Sequence, residues 1–246
     1  PVKCDVLLRE LFDGRVDAAA VAAACSETVE WNDMDLKESI RGRAAVRTLL
    51  EDKFPAGSKL VVERMSDGAE SGGFTWHREA DDVEGTGLRG ITYVELDETG
   101  QIAYVQEGAE PLFKLDKILE AVLQATNKAA KEGDGAAQKP PPSYTKQSPT
   151  TATGIAKYLW EVAYPGGATP GEALEFFADD IRYEDFNYYE PFVGLGSVSE
   201  YIGLLEVFPD FVFISERISE GERGCCITWR CEVNGEDGPS GISYNE

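Results

Sequence analysis

The chain has 246 residues, of which 42% are hydrophobic and 10% aromatic, which is enough apolar material for one large core or two ordinary ones. Its formal net charge of −22 disfavours nucleic acid as a partner and suits basic proteins or cationic surfaces, because phosphate binding depends on clustered Lys and Arg. The single histidine, His77, excludes a multi-histidine metal centre, and it excludes a histidine-based catalytic triad in the second half of the chain.

Apolar runs and cysteines narrow the class of protein further. The longest uninterrupted apolar run, 18–25, is far shorter than the ~20 residues that a membrane span needs. The five cysteines include no pair at metal-ligand spacing, so we expect buried free thiols. These features predict a soluble or peripheral protein without a metal or organic cofactor. They also predict a reducing compartment, either the cytosol or the interior of an organelle.

A repeat runs through the chain at an offset of 151 to 154 residues. It begins with a short strand ending in aspartate, 28–33 and again 180–185, and a glycine follows nine residues later, Gly42 or Gly194. A segment with helical apolar spacing then ends in Phe-Pro, at 54–55 and at 208–209. Matched strands follow in unbroken order, so the sequence predicts two copies of one domain.

Taken in chain order, each copy is predicted to contain two helices, a strand, a third helix and then strands separated by Gly-containing and acidic turns. Helices first and strands last indicate an α+β fold. We expect two cone-shaped domains, each a curved antiparallel sheet packed on about three helices around a pocket. The segment 101–107 supplies a final strand only in the first copy. The second copy therefore lacks its last strand, and we expect further chain or a neighbouring protein at that edge.

The predicted domains are residues 1–110 and 150–246. An amphipathic helix, 111–132, lies between them and carries Leu112, Leu115, Leu119 and Val122 on one face. A proline-rich, semi-extended linker, 133–149, follows it.

Each copy resembles the SnoaL-like domains in four features. They are the strand that ends in aspartate, the glycine and helix after it, Trp76 or Trp229, and a strand with the sequence Gly-Ile-Thr/Ser-Tyr. The SnoaL-like domains belong to the superfamily of nuclear transport factor two and the ketosteroid isomerases. The resemblance implies the cone fold, but it leaves function open among isomerases, cyclases, dehydratases, transport adaptors and ligand-free scaffolds. Members often pair through their sheets, so the two copies could pair within one chain. Acidic tandem copies also resemble plastid or other organelle proteins of algae.

The resemblance suggests positions for a general base and for donors to an enolate oxygen. Asp33 and Asp185 stand where the isomerase-like members carry the base, and Tyr158 stands about where a helical tyrosine donor lies. Thr92 and Ser243 replace the acid of a later strand, so the oxyanion site looks incomplete. Turn bonding by the aspartates and helix packing by Tyr158 also explain these residues without catalysis.

Further pocket candidates lie on the strands. Glu63 and Glu216 stand in rows of apolar strand residues, where they line the pocket or, on an exposed face, pair with His77 and Arg230. Six aromatic residues form either the walls of a pocket for a flat apolar ligand or the core itself. They are Trp31, Trp76 and Tyr93 in the first copy and Tyr183, Trp229 and Tyr244 in the second.

Together these features favour a non-catalytic binding or scaffolding protein. It would be an acidic peripheral subunit of a larger assembly, such as an organellar complex, or a module that binds a hydrophobic ligand. The alternative is a cofactor-independent isomerase or cyclase that uses Asp185 as base and Tyr158 as donor. An open cavity in which these two groups converge would favour the enzyme, and a cavity filled by side chains would exclude it.

Overall fold

The computed structural model describes residues 3–55, 58–80, 87–114, 118, 121–122, 124–125, 141–205, 211–233 and 235–246. Each half of the chain begins with helices and ends with a run of antiparallel strands, which confirms the predicted α+β class. No helix within these described ranges is long and apolar enough to cross a membrane.

The first half, residues 3–114, has three helices, which are α1 (Cys4–Phe12), α2 (Ala18–Ala24) and α3 (Arg43–Lys53). Its strands are β1 (Gly14–Arg15), β2 (Cys25–Asp33), β3 (Ile40–Arg41), β4 (Ser58–Met65), β5 (Ser71–Ala80), β6 (Arg89–Leu96) and β7 (Ile102–Ala109). They form one sheet in the order β1-β4-β5-β6-β7-β2-β3. Every neighbouring pair is antiparallel except β2 and β7, which run parallel.

The helices of the first half cover one face of this sheet. Asp17 caps the alanine-rich α2, because its carboxylate accepts the N–H groups of Ala19 (2.9 Å) and Ala20 (3.3 Å). Leu8 of α1 and Leu50 of α3 are fully buried in one continuous core that also includes strand residues of the sheet's inner face. The first half therefore has a single closed core.

The second half, residues 141–246, begins with α4 (Ala152–Lys157), which continues as a π-helix, Tyr158–Ala163. A 3-10 helix, Pro170–Phe176, and a final helix, α5 (Leu195–Leu205), complete the helices that the structure describes here. The strands are β8 (Arg182–Tyr183), β9 (Phe192–Val193), β10 (Phe211–Ile218), β11 (Cys225–Val233) and β12 (Glu236–Asn245).

These strands form two separate sheets, β8-β9 and β10-β11-β12. In the first half, the corresponding strands belong to one sheet, because β7 pairs with both β6 and β2. Within the described residues of the second half no strand corresponds to β7, as the sequence predicted. The buried side chains accordingly fall into several small clusters instead of one core.

The same local geometry recurs at matched positions of the two halves. Gly42 and Gly194 have positive φ values of 87° and 83°, which glycine adopts without strain, and their N–H groups donate over 2.8 Å to Val29 and Ile181. Ser66 and Ser219 are equally matched, because each hydroxyl oxygen accepts a backbone N–H from the next strand over 2.8 Å.

The outer faces of the two larger sheets pack against each other, with β11 and β12 on β5, β6 and β7. A Cβ atom on Gly73 would lie 2.3 Å from the Cβ atom of Cys226, so the two backbones are in close approach there. The Arg217 guanidinium donates to Glu95 over 2.5 Å and lies 3.9 Å from the ring centroid of Tyr104. The two halves thus pair within the chain, as the sequence allowed.

Asp67 adds a polar contact between the halves. Its carboxylate accepts the backbone N–H groups of Arg223 (3.2 Å) and Gly224 (3.3 Å). Desolvation raises the pKa of Asp67, but these N–H groups outweigh it and the pKa is lowered.

The predicted helix 111–132 lies largely outside the described residues, and so do residues 133–140 of the predicted linker 133–149. Residues 118, 121–122 and 124–125 are helical, whereas 111–114 are not, and Leu112 is 88% exposed. Tyr144, within the predicted linker, packs edge-on against Tyr158 at 6.3 Å and donates a hydrogen bond to Glu172 over 2.8 Å. The end of the predicted linker is therefore packed onto the second half.

All five cysteines are buried free thiols, as predicted. Burial raises the pKa of Cys25 and Cys225 to about 12, so these thiols stay protonated at neutral pH.

Candidate ligand-binding interior

The interior of the first half contains a buried ion cluster around Lys53. Asp33, at the end of β2, pairs in register with Glu107 of β7, which brings two carboxylates side by side. The ammonium of Lys53 donates to Asp33 Oδ2 over 2.7 Å and to Glu107 Oε1 over 2.6 Å. Trp31 Nε1 donates to the same Glu107 oxygen over 2.7 Å. Asp33 is therefore already paired with a cation.

Titration of this cluster follows from its burial and its charges. Burial lowers the pKa of Lys53, but the charges and hydrogen bonds of Glu107 and Asp33 outweigh burial and raise it. Arg78 stands nearby with its guanidinium over the rings of Phe54 (4.8 Å) and Trp76 (5.8 Å), and burial lowers its pKa. A base for proton abstraction from carbon needs an apolar pocket without such a cation, so the site around Asp33 is poorly suited to that chemistry.

Aromatic side chains fill the rest of the first interior. Trp31 and Trp76 are 0% and 1% exposed, and a Cβ atom on Gly90 would lie 2.2 Å from the Trp76 ring. The Trp76 indole donates to the hydroxyl oxygen of Thr92 over 2.9 Å. In this half, the predicted pocket walls form the core.

Tyr93 and Tyr244 lie on the opposite face of their sheets from the predicted interior. Side chains alternate along a strand, and the neighbouring Thr92 and Ser243 face inward to accept the indole N–H groups of Trp76 and Trp229. The hydroxyl of Tyr93 donates to Glu95 over 2.8 Å, and its ring contacts Tyr104. Both tyrosines stand between the two halves, in contrast to the expectation that they wall the pockets.

Glu63 and Glu216 stand at equivalent interruptions of the strand register. The pairing of β4 with β5 shifts between Val62 and Arg64, and that of β10 with β11 shifts between Ser215 and Arg217. The Glu63 carboxylate is 2.8 Å from His77 Nδ1, and that of Glu216 is 3.8 Å from Arg230 Nε. Their side chains are 40% and 42% exposed. The sequence left open whether these two glutamates line the pocket or form exposed cross-strand pairs. The structure shows the exposed pairs.

In the second half, Asp185 has neutral partners. The backbone N–H and the side-chain amide of Asn187 both donate to Asp185 Oδ1 over 2.9 Å. The hydroxyl of Tyr201, on α5, donates to Oδ2 over 2.5 Å, and burial followed by the Asp185 charge raises the pKa of Tyr201. Asp185 thus differs from Asp33 in its surroundings, although the two occupy matched positions.

Tyr158, the predicted donor, is directed elsewhere. Its hydroxyl donates to Glu172 Oε1 over 2.8 Å, and Tyr144 donates to the other oxygen of that carboxylate. Tyr158 belongs to a buried cluster around Leu159 and Ala173, whereas the ring of Tyr201 belongs to another. The hydrogen bonds of the described residues therefore do not bring Tyr158 and Asp185 together.

A group of half-buried aromatic side chains lines the interior of the second half. Trp160 stacks on Trp229 at 6.2 Å and 28° and meets Phe213 and Tyr164 edge-on. Burial raises the pKa of both Tyr164 and Tyr183, to about 12 for Tyr183. We call Trp160, Tyr164, Tyr183, Phe213 and Trp229 the aromatic interior.

Sequence reasoning missed Trp160, Tyr164 and Phe213, although Trp160 and Tyr164 lie one helical turn apart. The π-helical hydrogen bond from Tyr164 N–H to Leu159 (2.9 Å) sets their orientation. Such π-helical turns are frequent at functional sites.

A separate cavity of about 350 Å³ lies between α2 and α3 on the outside of the first half. Its polar groups are already paired, because Arg43 bonds Glu27 and the carbonyl of Cys25, and Arg47 bonds Glu51. It is lined by Ala19, Ala22, Ala23, Glu27, Arg43, Ala44 and Arg47.

No family model matches the sequence. No curated protein matches it either. Among solved structures, a protein of the SnoaL-like family from Agrobacterium tumefaciens is 21% identical over 38% of this chain and 80% of its own, with a TM-score of 0.33.

Two further solved structures belong to the ketosteroid isomerase type. A candidate ketosteroid isomerase from Kribbella flavida is 19% identical over 59% of this chain and 89% of its own, with a TM-score of 0.35. A steroid delta-isomerase from Pseudomonas aeruginosa is 14% identical over 47% of this chain and 80% of its own, with a TM-score of 0.33. These are the groups of proteins that the sequence motifs resemble. Likeness at this level carries no inference about activity.

Proposed function

We propose that this chain is a non-catalytic binding or scaffolding protein whose second half binds a flat apolar ligand in the aromatic interior. One comparison between the halves supports this proposal. Trp76 is 1% exposed within a closed core, whereas its counterpart Trp229 is half-buried and stacked on another half-buried ring, Trp160. Stacked rings that water can reach are a surface on which a flat apolar molecule gains both area and ring contacts.

The first half has the complementary role of a rigid support. Its interior is filled by Trp31 and Trp76, and its candidate base Asp33 is held by Lys53. Its outer face carries the second half through close contacts such as that of Gly73 with Cys226. The acidic surface, with a net charge of −22, suits a basic protein partner.

A neutral fluorescent probe such as N-phenyl-1-naphthylamine tests the ligand site. We expect saturable binding to the full chain and a loss of roughly tenfold in affinity for Trp160→Leu, because a stacking ring and its area are removed. Tyr189→Ala is the control, since Tyr189 is 62% exposed and is not part of the aromatic interior. Absence of saturable binding, or equal affinity in Trp160→Leu, would rule the site out.

A cofactor-independent isomerase or cyclase is the second candidate. The observation that favours it is the environment of Asp185, whose hydrogen-bond donors Tyr201 and Asn187 are neutral, unlike the Lys53 that holds Asp33. A general base needs a carboxylate that is not already held in an ion pair. Exchange of α-protons for deuterium in a panel of β,γ-unsaturated ketones, followed by NMR, tests this. Exchange should vanish in Asp185→Asn and persist in Asp33→Asn, and no exchange by the unsubstituted chain would exclude the enzyme.

A further inference from the structure

A cation lies over an aromatic ring in the interior of the first half. The guanidinium of Arg78 is 5.8 Å from the centroid of the Trp76 ring. Burial lowers the pKa of Arg78 and outweighs the charges of Glu107 and Asp33, which act on it in the opposite direction. The first half thus surrounds one cation with a tryptophan ring and carboxylate charge, an arrangement that favours a cation–π contact away from water.

The second half has the ring without the cation. Trp229 corresponds to Trp76, and two residues further along the strand Cys231 corresponds to Arg78. Cys231 lies opposite Phe213 of β10 and alternates with Trp229 along β11, so its side chain faces the aromatic interior. A short side chain therefore stands where the first half carries a long cationic one.

The basic side chains that the structure describes in the second half are directed away from this interior. Arg217 donates to Glu95 of the first half. Arg230 is adjacent to Trp229, so it faces the other side of the sheet, where it bonds Glu232. The remaining basic side chains are exposed, and they are Lys146, Lys157, Arg182 and Arg223. Among the described residues, every ring with a cation over it also lies outside the aromatic interior.

Asp185 supplies negative charge to the aromatic interior. Its carboxylate accepts the hydroxyl of Tyr201, whose ring centroid is 5.7 Å from that of Tyr183. Burial and then the charge of Asp185 raise the pKa of Tyr183, so this charge acts within the interior. The groups that donate hydrogen bonds to Asp185 are neutral. Asp185 also matches Asp33, one of the two carboxylates that act on Arg78.

We propose that the ligand of the aromatic interior is a flat aromatic cation, with its positive charge over Trp229 and Asp185 as the counter-ion. This inference rests on the proposed ligand site and names the class of ligand that the site takes. The positive charge of the ligand occupies the place that the Arg78 guanidinium has in the first half. Ring faces and a carboxylate both attract a cation where water is scarce, whereas an anionic ligand would face Asp185 without a cation between them.

Two fluorescent probes of nearly the same shape separate this inference from the site itself. Acridine, in its neutral form, and N-methylacridinium, a permanent cation, are each titrated with the full chain. We expect N-methylacridinium to bind at least about fivefold tighter than acridine. If acridine binds as tightly, the ligand site stands and the preference for a cation is overturned. If neither probe binds, the ligand site fails and the inference fails with it.

Substitutions locate the binding, because a net charge of −22 also attracts cations to the surface. Trp160→Leu should weaken both probes, and N-methylacridinium binding that this variant leaves unchanged would overturn the inference. Asp185→Asn should reduce the preference for the cation to about twofold or less, because the counter-ion is lost. The matched control is Glu190→Gln, which removes an exposed charge from the same loop and should keep the full preference. Equal effects of these two substitutions would contradict the role of Asp185.

Cys231 provides an independent variant. Cys231→Arg introduces the side chain that the first half carries at this position and should weaken N-methylacridinium at least about tenfold. Cys231→Met, which adds length without charge, should weaken it less. Circular dichroism checks that the variants fold, and if Cys231→Arg does not, the two probes on the unsubstituted chain decide. Equal binding of N-methylacridinium by the folded Arg and Met variants would overturn the proposed position of the cation.

Discussion

Lys53 reaches two carboxylates from the last turn of α3, and all three groups are nearly excluded from water. The exposed fractions of the side chains are 15% for Lys53, 8% for Asp33 and 4% for Glu107. A buried ion pair contributes little net stability against an apolar replacement, but removal of one partner leaves charge without compensation. The cluster therefore has its largest effect when it is broken.

Replacement of Lys53 by Met should lower the free energy of unfolding by roughly 3–5 kcal/mol, because two adjacent buried carboxylates lose their cation. Urea unfolding followed by tryptophan fluorescence measures this change. The matched control is the triple variant Lys53→Met, Asp33→Asn, Glu107→Gln, in which most of the lost stability should return. A single variant as stable as the unsubstituted chain would mean that the ion cluster does not form.

The pH dependence of the cluster follows from the raised pKa of Lys53. A group whose pKa is higher in the folded state contributes stability below its unfolded value, about 10.4 for lysine, and loses it as the pH rises through the folded value. The unsubstituted chain should therefore lose this contribution only above about pH 10. The triple variant should lack this alkaline step.

At the scale of single residues, the sequence predicted turn glycines well and buried charge poorly. Gly42 and Gly194 could be predicted because the repeat places both nine residues after an aspartate. Lys53 could not, because it is 20 and 54 positions from its partners and nothing in its neighbourhood marks it as buried. Contacts of this kind depend on how distant strands pair in the sheet, which local sequence patterns do not encode.

Among the secondary-structure elements, α5 contains a glycine that lowers the stability of the helix. Gly203 is exposed in this helix, and a Cβ atom there would meet nothing within 4 Å. Glycine in a helix interior costs about 0.8–1 kcal/mol relative to alanine.

Gly203→Ala should therefore raise the free energy of unfolding by up to about 1 kcal/mol, with a higher Tm in differential scanning calorimetry. Gly194→Ala, just before the same helix, is the control with the opposite sign. Its φ of 83° strains any residue with a Cβ atom, so this variant should be less stable. Equal behaviour of the two variants would contradict the described backbone.

The alternation of apolar and polar residues predicted where the strands lie. It did not predict what covers each face of the sheet. Thr92 and Tyr93 are adjacent in β6, and both are buried, one against the helices and one against the other half. A sheet covered on both faces gives no sequence signal for which face holds a pocket. That is why Tyr93 and Tyr244 were expected in the interior.

For the whole molecule, the contact between the sheets depends on a glycine. A Cβ atom on Gly73 would lie 2.3 Å from the Cβ and 2.5 Å from the Sγ atom of Cys226. Gly73 and Cys226 occupy the same place in the repeat, so the contact joins matched positions of the two halves.

Gly73→Ala should cost about 1–3 kcal/mol of stability through overpacking. Most of this cost should disappear when Cys226→Gly accompanies it, because the clashing side chain is gone. A double-mutant cycle from urea unfolding measures the coupling. Additive effects of the two substitutions would contradict face-to-face packing at this point.

Pairing of the halves could be anticipated from the repeat, whereas the residues that meet could not. The order of elements, the lack of a counterpart of β7 among the described residues of the second half, and the α+β class all followed from comparing matched segments. Which half kept a water-accessible interior depended on the burial of Trp76 and Trp229, and the sequence has tryptophan at both positions.

The meeting of Gly73 with Cys226 has a consequence for how such a molecule can change over time. In a symmetric homodimer every substitution occurs twice, so a bulky residue beside the two-fold axis would collide with its own copy. Two halves on one chain are free of that constraint, and a large residue on one side needs only a small one opposite. Each half can then accumulate its own substitutions, one set that closes an interior and another that keeps it accessible.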